Sequence, residues 1–174
     1  MAQFVIIRGM QNSGKTTTMW FVYQYLLKEA DTGSKHLFRW GHETDFSEST
    51  IPVSVPQQPV PGKVRDFTAV LTIQDKKVGI ISEGDEPKYL GPTLTILLQY
   101  QVDIIICCIR TQDRVGSTYR MLRTDYAPSH QMMKVFRTKR TKSDVWLSVK
   151  QTLAVQMGEY VLHILQDENA SKTH

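Results

Sequence analysis

Gly9-Met10-Gln11-Asn12-Ser13-Gly14-Lys15-Thr16 fits the spacing G-x-x-x-x-G-K-[ST], and its flanks decide what that spacing means. Before it lies Phe4-Val5-Ile6-Ile7, a continuous apolar run of the kind a strand covered on both faces requires. After it, Phe21/Val22, Tyr25/Leu26 and Ala30 recur at helical spacing until the stop signal Asp31-Thr32-Gly33. Strand, glycine loop and helix in that order predict a phosphate cradle. The glycines let the backbone close around an anion, successive N–H groups turn inward, and the helix start adds its positive dipole end. The expected contacts are Gly9, Gln11, Asn12, Ser13, Gly14, Lys15, Thr16 and Thr17. Lys15 is expected against the β- and γ-phosphates of a nucleotide, and the Thr16 hydroxyl in the shell of a Mg²⁺ ion.

The rest of the chain bounds this reading. Its 174 residues predict one domain spanning 1–174, and 41% hydrophobic with 22% charged residues is ordinary for a globular chain. The longest apolar run, Val102 to Ile109, is broken by Asp103, well short of the roughly 20 apolar residues of a membrane span. The N-terminus enters a strand without the basic and apolar regions of a secretory signal. A cytoplasmic protein without a membrane partner is therefore expected. Cys107 and Cys108 are adjacent in a strand-like run, so their side chains face opposite ways and read as reduced core thiols. The net charge of +4 suits any phosphate-binding protein and does not by itself call for nucleic acid.

Beyond the first helix, Lys35 to Trp40 predicts a short second strand ending at Gly41. Residues 41–65 carry Glu43, Asp45 and Glu48 and then Pro52, Pro56, Pro59 and Pro61. Proline removes donors and disfavours helix, so this stretch predicts a long irregular excursion, either a surface loop or a functional one. Phe67, Ala69, Leu71 and Ile73 alternate with the residues between them, Gln74-Asp75-Lys76-Lys77 is a polar turn, and Val78 to Ile81 resumes as a strand, which predicts a β-hairpin. Val102–Ile109 is a parallel-type strand whose exit holds Arg110, Arg114, Arg120 and Arg123. Met132 to Arg137 predicts the last strand, Arg137 to Lys142 is basic, Asp144 to about Gln166 forms a final helix, and 167–174 is a polar tail.

With its flanks, the Gly9–Thr16 segment resembles the Walker A motif of the P-loop NTPase superfamily, and the chain is closest in plan to small nucleotide and nucleoside kinases. The resemblance implies a three-layer α/β/α sandwich with a mostly parallel five-strand sheet and one antiparallel hairpin arm. It also implies ATP or GTP and Mg²⁺ as cofactors. In such proteins an acid just beyond a second apolar strand holds the metal or orients the attacking group. Here Ser82 takes the strand-end position, and Glu83 and Asp85 are the candidates, as catalytic and as metal-binding residues. Asp85 also suits an N-cap before Glu86-Pro87. Arg110 and Arg114, nearest the end of their strand, are expected in a lid that offsets the charge of the transferring phosphoryl group. Arg120 and Arg123 fit a solvated helix face equally well. The 41–65 excursion lies where such kinases contact their phosphoryl acceptor, which the sequence leaves unidentified.

The resulting expectation is an ATP-dependent phosphotransferase. The alternative is a P-loop ATPase or GTPase acting as a switch or in nucleic-acid handling, suggested by the basic run from Lys134 to Lys142 and by Thr141-Lys142-Ser143-Asp144. That tetrad resembles the guanine-specificity motif of GTPases, although Asp144 reads better as a helix cap. The five histidines are dispersed, with no zinc spacing, and no G-x-S-x-G elbow is present.

Overall fold

The computed structural model describes residues 1–111, 116–140 and 145–170, with the side chains of the last helix described through residue 167. In chain order, β1 (Gln3–Gly9) runs into α1 (Lys15–Leu27), followed by β2 (Lys35–Trp40), β3 (Ser47–Thr50), β4 (Phe67–Ile73) and β5 (Lys76–Ile81). Next come α2 (Pro87–Gln99), β6 (Ile104–Arg110), the single turn α3 (Thr118–Met121) continued by a π-helical turn over Leu122–Tyr126, then β7 (Gln131–Arg137) and α4 (Trp146–Ala170). The strands form one sheet in the order β3-β2-β4-β5-β6-β1-β7.

This sheet corrects the expected fold class. A mostly parallel five-strand sheet with a single antiparallel arm is not what forms. Among the described residues the sheet has seven strands. The pairs β5–β6, β6–β1 and β1–β7 are parallel, while β3–β2, β2–β4 and β4–β5 are antiparallel. The hairpin at Gln74 and Asp75 turns the chain back. Both residues have positive φ, 53° and 61°, the geometry of a tight hairpin turn, and the Asp31 carboxylate accepts from both of their N–H groups at 2.9 Å. β2 then pairs with β4 rather than with a parallel neighbour. The 41–65 segment is not irregular throughout, because Ser47–Thr50 adds to β2 as the edge strand. The final helix also continues past the expected end, to Ala170.

β1 and β6 are apolar throughout because both of their faces are covered. Val5, Ile7, Ile106 and Cys108 face a core shared with Met19, Tyr23 and Leu26 of α1 and Ala154, Met157 and Val161 of α4. Phe4, Ile6, Ile105 and Cys107 face a second core with Leu90, Leu94 and Leu97 of α2 and Leu122. Around Trp20 of α1, the rings of Tyr23, Phe38, Trp40 and Phe67 pack with centroids 5.2–6.4 Å apart, which ties the antiparallel half of the sheet to the loop-bearing helix. Cys107 and Cys108 are both buried and free, and burial pushes the Cys107 thiol up to about 12. Among the described residues no helix is long and apolar enough to cross a membrane.

The topology sets the position of the site. The parallel strands β1, β5 and β6 bring their C-terminal ends together. β4 runs the other way, so its start lies at the same edge, and Thr68 stands opposite Ile81. β2 is antiparallel to β4, so its exit at Trp40 and Gly41 arrives there as well, with the Gly41 N–H donating to the Asp66 carbonyl at 2.7 Å.

Candidate functional site

The loop from Gly9 to Thr16 joins the end of β1 to the start of α1. Asn12 and Gly14 adopt left-handed backbone, φ 57° and 82°, which turns the chain sharply into α1. A Cβ on Gly9 would stand 2.4 Å from Ser13 Oγ and 2.6 Å from Thr138 Cγ2, so only glycine fits there. Lys15 is 6% exposed. Its Nζ donates to the carbonyls of Gly9 at 3.1 Å and Met10 at 2.9 Å and lies 3.0 Å from Asp85 Oδ1. Among the described residues the buried Ser13 Oγ has no hydrogen-bond partner, leaving donor capacity inside the loop unused. In front of the loop is a cavity of about 430 Å³, walled by Gln11 to Thr17 on one side and by Asp66, Ser82 to Glu86, Tyr89 and Arg110 on the other.

The opposite wall shows why the sequence Ser82-Glu83-Gly84-Asp85 leaves β5 as it does. A Cβ on Gly84 would stand 1.5 Å from the Cys108 carbonyl oxygen. The chain therefore crosses the end of β6 in backbone contact, and Asp85 emerges between Lys15 and Arg110, whose Nε is 3.6 Å from Asp85 Oδ2. Asp85 does not cap α2, whose N-cap position is Glu86 without a side-chain capping bond. Glu83 turns toward the β2 exit, where His42 Nδ1 is 3.1 Å from its Oε2 and the His42 ring stacks on Tyr89 at 4.0 Å. Burial raises the Glu83 pKa, and His42 and Arg39 act against that rise while Asp66 and Glu86 add to it.

Thus Gly9, Gln11, Asn12, Ser13, Gly14, Lys15, Thr16, Thr17, Glu83, Asp85 and Arg110 share one region. Arg114 and the Thr141–Asp144 tetrad lie outside the described residues. Arg120 and Arg123 are exposed and stand off the cavity wall, with Arg123 5.7 Å from the Tyr119 ring. A separate groove of about 320 Å³ on the other side of the loop is lined by Arg8, Met10, Thr111, Arg137, Thr138, Lys139 and Arg140.

The sequence reading missed two groups. Asp66 accepts from Thr16 Oγ1 at 2.9 Å and from Ser82 Oγ at 3.2 Å, and Ser82 Oγ is itself fixed by the Phe67 N–H at 2.8 Å. Pairing the two arms of the predicted hairpin puts the residue before β4 beside the residue after β5, and that was the available signal. The second group supports the loop from behind. Lys150 Nζ donates to Thr138 Oγ1 at 2.6 Å and to the Lys139 carbonyl at 2.9 Å, Thr138 Oγ1 donates to the Ser13 carbonyl at 3.0 Å, and Arg140 donates twice to the Gln11 carbonyl, at 3.2 and 3.0 Å. Burial lowers the Lys150 pKa.

No family model, curated protein or solved structure matches the chain. Among the described residues no three His, Cys, Asp or Glu side chains are grouped to cage a metal. A Mg²⁺ ion carried in with a nucleotide does not need such a cage, because phosphates and water fill most of its octahedral shell beside one or two protein groups. The Thr16 hydroxyl with a carboxylate 2.9 Å away fits that requirement.

Proposed function

We propose that the protein binds a nucleoside triphosphate, ATP or GTP, together with Mg²⁺, and transfers its terminal phosphoryl group to a small acceptor. The observation that carries this reading is the Lys15 ammonium, held 3.0 Å from Asp85 at the wall of a cavity built from the loop backbone. A phosphate there would meet the loop backbone, the start of α1 and a cation at once. Thr16 would be a ligand of Mg²⁺, which when bound offsets charge on the β- and γ-oxygens.

Transfer rather than plain hydrolysis is supported by a second cavity of about 500 Å³, lined by Asp85, Glu86, Pro87, Lys88, Arg110, Gly116 and Ser117. It shares Asp85, Glu86 and Arg110 with the loop cavity, so an acceptor seated in it would face the terminal phosphate. The acceptor hydroxyl oxygen would bond to the γ-phosphorus as the bridging P–O bond breaks. The nucleoside diphosphate would leave with that electron pair, and the hydroxyl proton would pass to the carboxylate of Asp85 or Glu83. Arg110 would offset charge on the moving group. Such chemistry belongs to the cytoplasm, where triphosphates are abundant and the free Cys107 and Cys108 would remain reduced.

A second reading, an NTPase that acts as a switch or handles nucleic acid, is favoured by one observation. The groove behind the loop gathers Arg8, Arg137, Lys139 and Arg140, charges suited to a phosphate backbone.

Titration calorimetry with ATP and GTP, with and without Mg²⁺, tests the first reading on wild type and Lys15→Ala. Removing one partner of a desolvated charge pair should cost about 2–5 kcal/mol of binding with the fold intact. Equal binding by both proteins would refute the site.

A further inference from the structure

We propose that Asp66, the residue just before the antiparallel strand β4, is the carboxylate of the Mg²⁺ site, in place of the Glu83 or Asp85 that the linear motif suggests. The inference rests on the nucleotide reading above and specifies its metal position.

Four carboxylates line the cavity, and their partners set them apart. Glu86 is paired with Lys88 at 2.9 Å. Asp85 is already paired with two cations, Lys15 at 3.0 Å and Arg110 at 3.6 Å. Glu83 is turned to His42 at 3.1 Å. Asp66 is half-buried and has no Lys, Arg or His within ion-pair distance among the described residues. Its side chain is held by two hydroxyls, Thr16 Oγ1 at 2.9 Å and Ser82 Oγ at 3.2 Å. A half-buried carboxylate without a counter-cation is poorly compensated, and a divalent ion would supply what it lacks. Both hydroxyls bond to the same oxygen, Oδ1, so the other oxygen is open to metal or metal-bound water.

The fold explains why the acid comes from this strand. In an all-parallel arrangement the residue beside Thr16 would be the one leaving β5, and here that residue is Ser82. Because β4 is antiparallel to β5, with Thr68 opposite Ile81, its first residues reach the same edge. Ser82 then acts as a positioning residue. Its N–H donates to the Phe67 carbonyl at 3.0 Å, its Oγ accepts from the Phe67 N–H at 2.8 Å, and its hydroxyl proton is aimed at Asp66. Thr16 of α1, Ser82 just after β5 and Asp66 just before β4 thereby converge on one point. The site uses one carboxylate, one P-loop hydroxyl and a supporting hydroxyl, a small set that suits Mg²⁺, which keeps most of its water.

The experiment measures Mn²⁺ binding to the full-length protein by electron paramagnetic resonance in the presence of ATP, and ATP affinity without metal by calorimetry. It uses wild type, Asp66→Asn and Glu83→Gln. Asp66→Asn keeps both hydroxyl contacts and should lower Mn²⁺ affinity by about 10–100-fold, the scale on which loss of a group that supports a metal site is felt, while metal-free ATP affinity stays within about twofold of wild type. Glu83→Gln should leave Mn²⁺ affinity within the same factor. If Glu83→Gln loses the ion and Asp66→Asn keeps it, the assignment is overturned. If wild type binds no ATP with or without metal, the nucleotide reading falls and this inference with it. Asp66→Cys supplies a check independent of the amide variant, because a thiolate at the metal should exchange preference for Mg²⁺ for preference for Cd²⁺, and an unchanged preference would count against the assignment.

Discussion

Lys150 Nζ donates to the Thr138 hydroxyl at 2.6 Å, and that hydroxyl donates onward to the Ser13 carbonyl at 3.0 Å. A buried lysine thus fastens the back of the Gly9–Thr16 loop through a single threonine. Burial lowers its pKa from 10.5, so the unfolded chain binds the proton more readily. At neutral pH this ammonium costs stability, and the cost is relieved as pH rises toward the unfolded value. Lys150→Met, which fills similar volume without charge, should change unfolding free energy by no more than about 1 kcal/mol in either direction. Thr138→Val leaves the ammonium with fewer acceptors and should destabilise by about 1–3 kcal/mol. Urea denaturation of the two variants gives the order, and a larger loss in Lys150→Met would mean that the ammonium contributes net stability.

Gly84 is the point where the β5 exit touches β6. Because a Cβ would stand 1.5 Å from the Cys108 carbonyl oxygen, and neither backbone can move without opening the sheet, Gly84→Ala should cost about 3 kcal/mol or more. Gly33 makes a useful comparison, with φ at 83° and, among the described residues, nothing within 4 Å of the position a Cβ would take. Gly33→Ala should lose only the left-handed backbone penalty, about 1 kcal/mol. Melting temperatures of the pair check this, and similar losses in both would exclude the close approach as the cause.

The elements read well from sequence were those whose evidence is local. β1 and β6 announce themselves by continuous apolar runs, and the loop between β1 and α1 by glycines and a lysine at fixed spacing. Strand direction is not local. Nothing in Lys35–Trp40 distinguishes a strand pairing antiparallel with β4 from one pairing parallel with β1, and the polar, exposed Ser47–Thr50 has no alternation to reveal that it completes a sheet. Asp66 was missed although the predicted hairpin already ran β4 backwards, because its place beside Thr16 depends also on the β4–β5 register and on the packing of α1. Lys150 was missed although a signal was there. It stands four residues before Ala154 and seven before Met157, both buried, so a lysine occupies the apolar stripe of α4, whereas the apolar Leu147 of the same helix is 47% exposed.

His36 predicts a pH-dependent stability. It is buried, bonded through Nε2 to the Tyr23 hydroxyl and through Nδ1 to Ser49 Oγ, each at 3.0 Å, and burial lowers its pKa below the usual 6.5. The unfolded chain therefore takes up a proton at this ring as pH falls through about 6.5, before the folded protein does. Stability is retained above that value and declines below it, with a slope approaching about 1.4 kcal/mol per pH unit, one proton's worth. His130, also lowered by burial, adds in the same direction, so the contribution of His36 is read from a difference. Urea midpoints between pH 5 and 8 should fall less steeply in His36→Gln than in wild type, and parallel curves would rule out His36 as the source.

Asp85 occupies the cation that a phosphate would need. With Lys15 3.0 Å from its Oδ1 and Arg110 3.6 Å from its Oδ2, a ligand entering the loop must break the first pair and also meet the repulsion of the carboxylate. Asp85→Asn removes both obstacles and keeps the shape. The pair is a third exposed on the carboxylate side, so solvent screening limits the gain to the range of partly exposed ion pairs, up to about 1 kcal/mol. ATP affinity measured without metal should therefore rise about twofold to fivefold. The same substitution removes a proton acceptor from the wall shared by the two cavities, so phosphoryl transfer should fall while binding improves. Opposite movement of affinity and turnover separates Asp85 from Lys15, whose loss should lower both, and a fall in metal-free affinity would mean that Asp85 holds Lys15 in place for the ligand rather than competing with it.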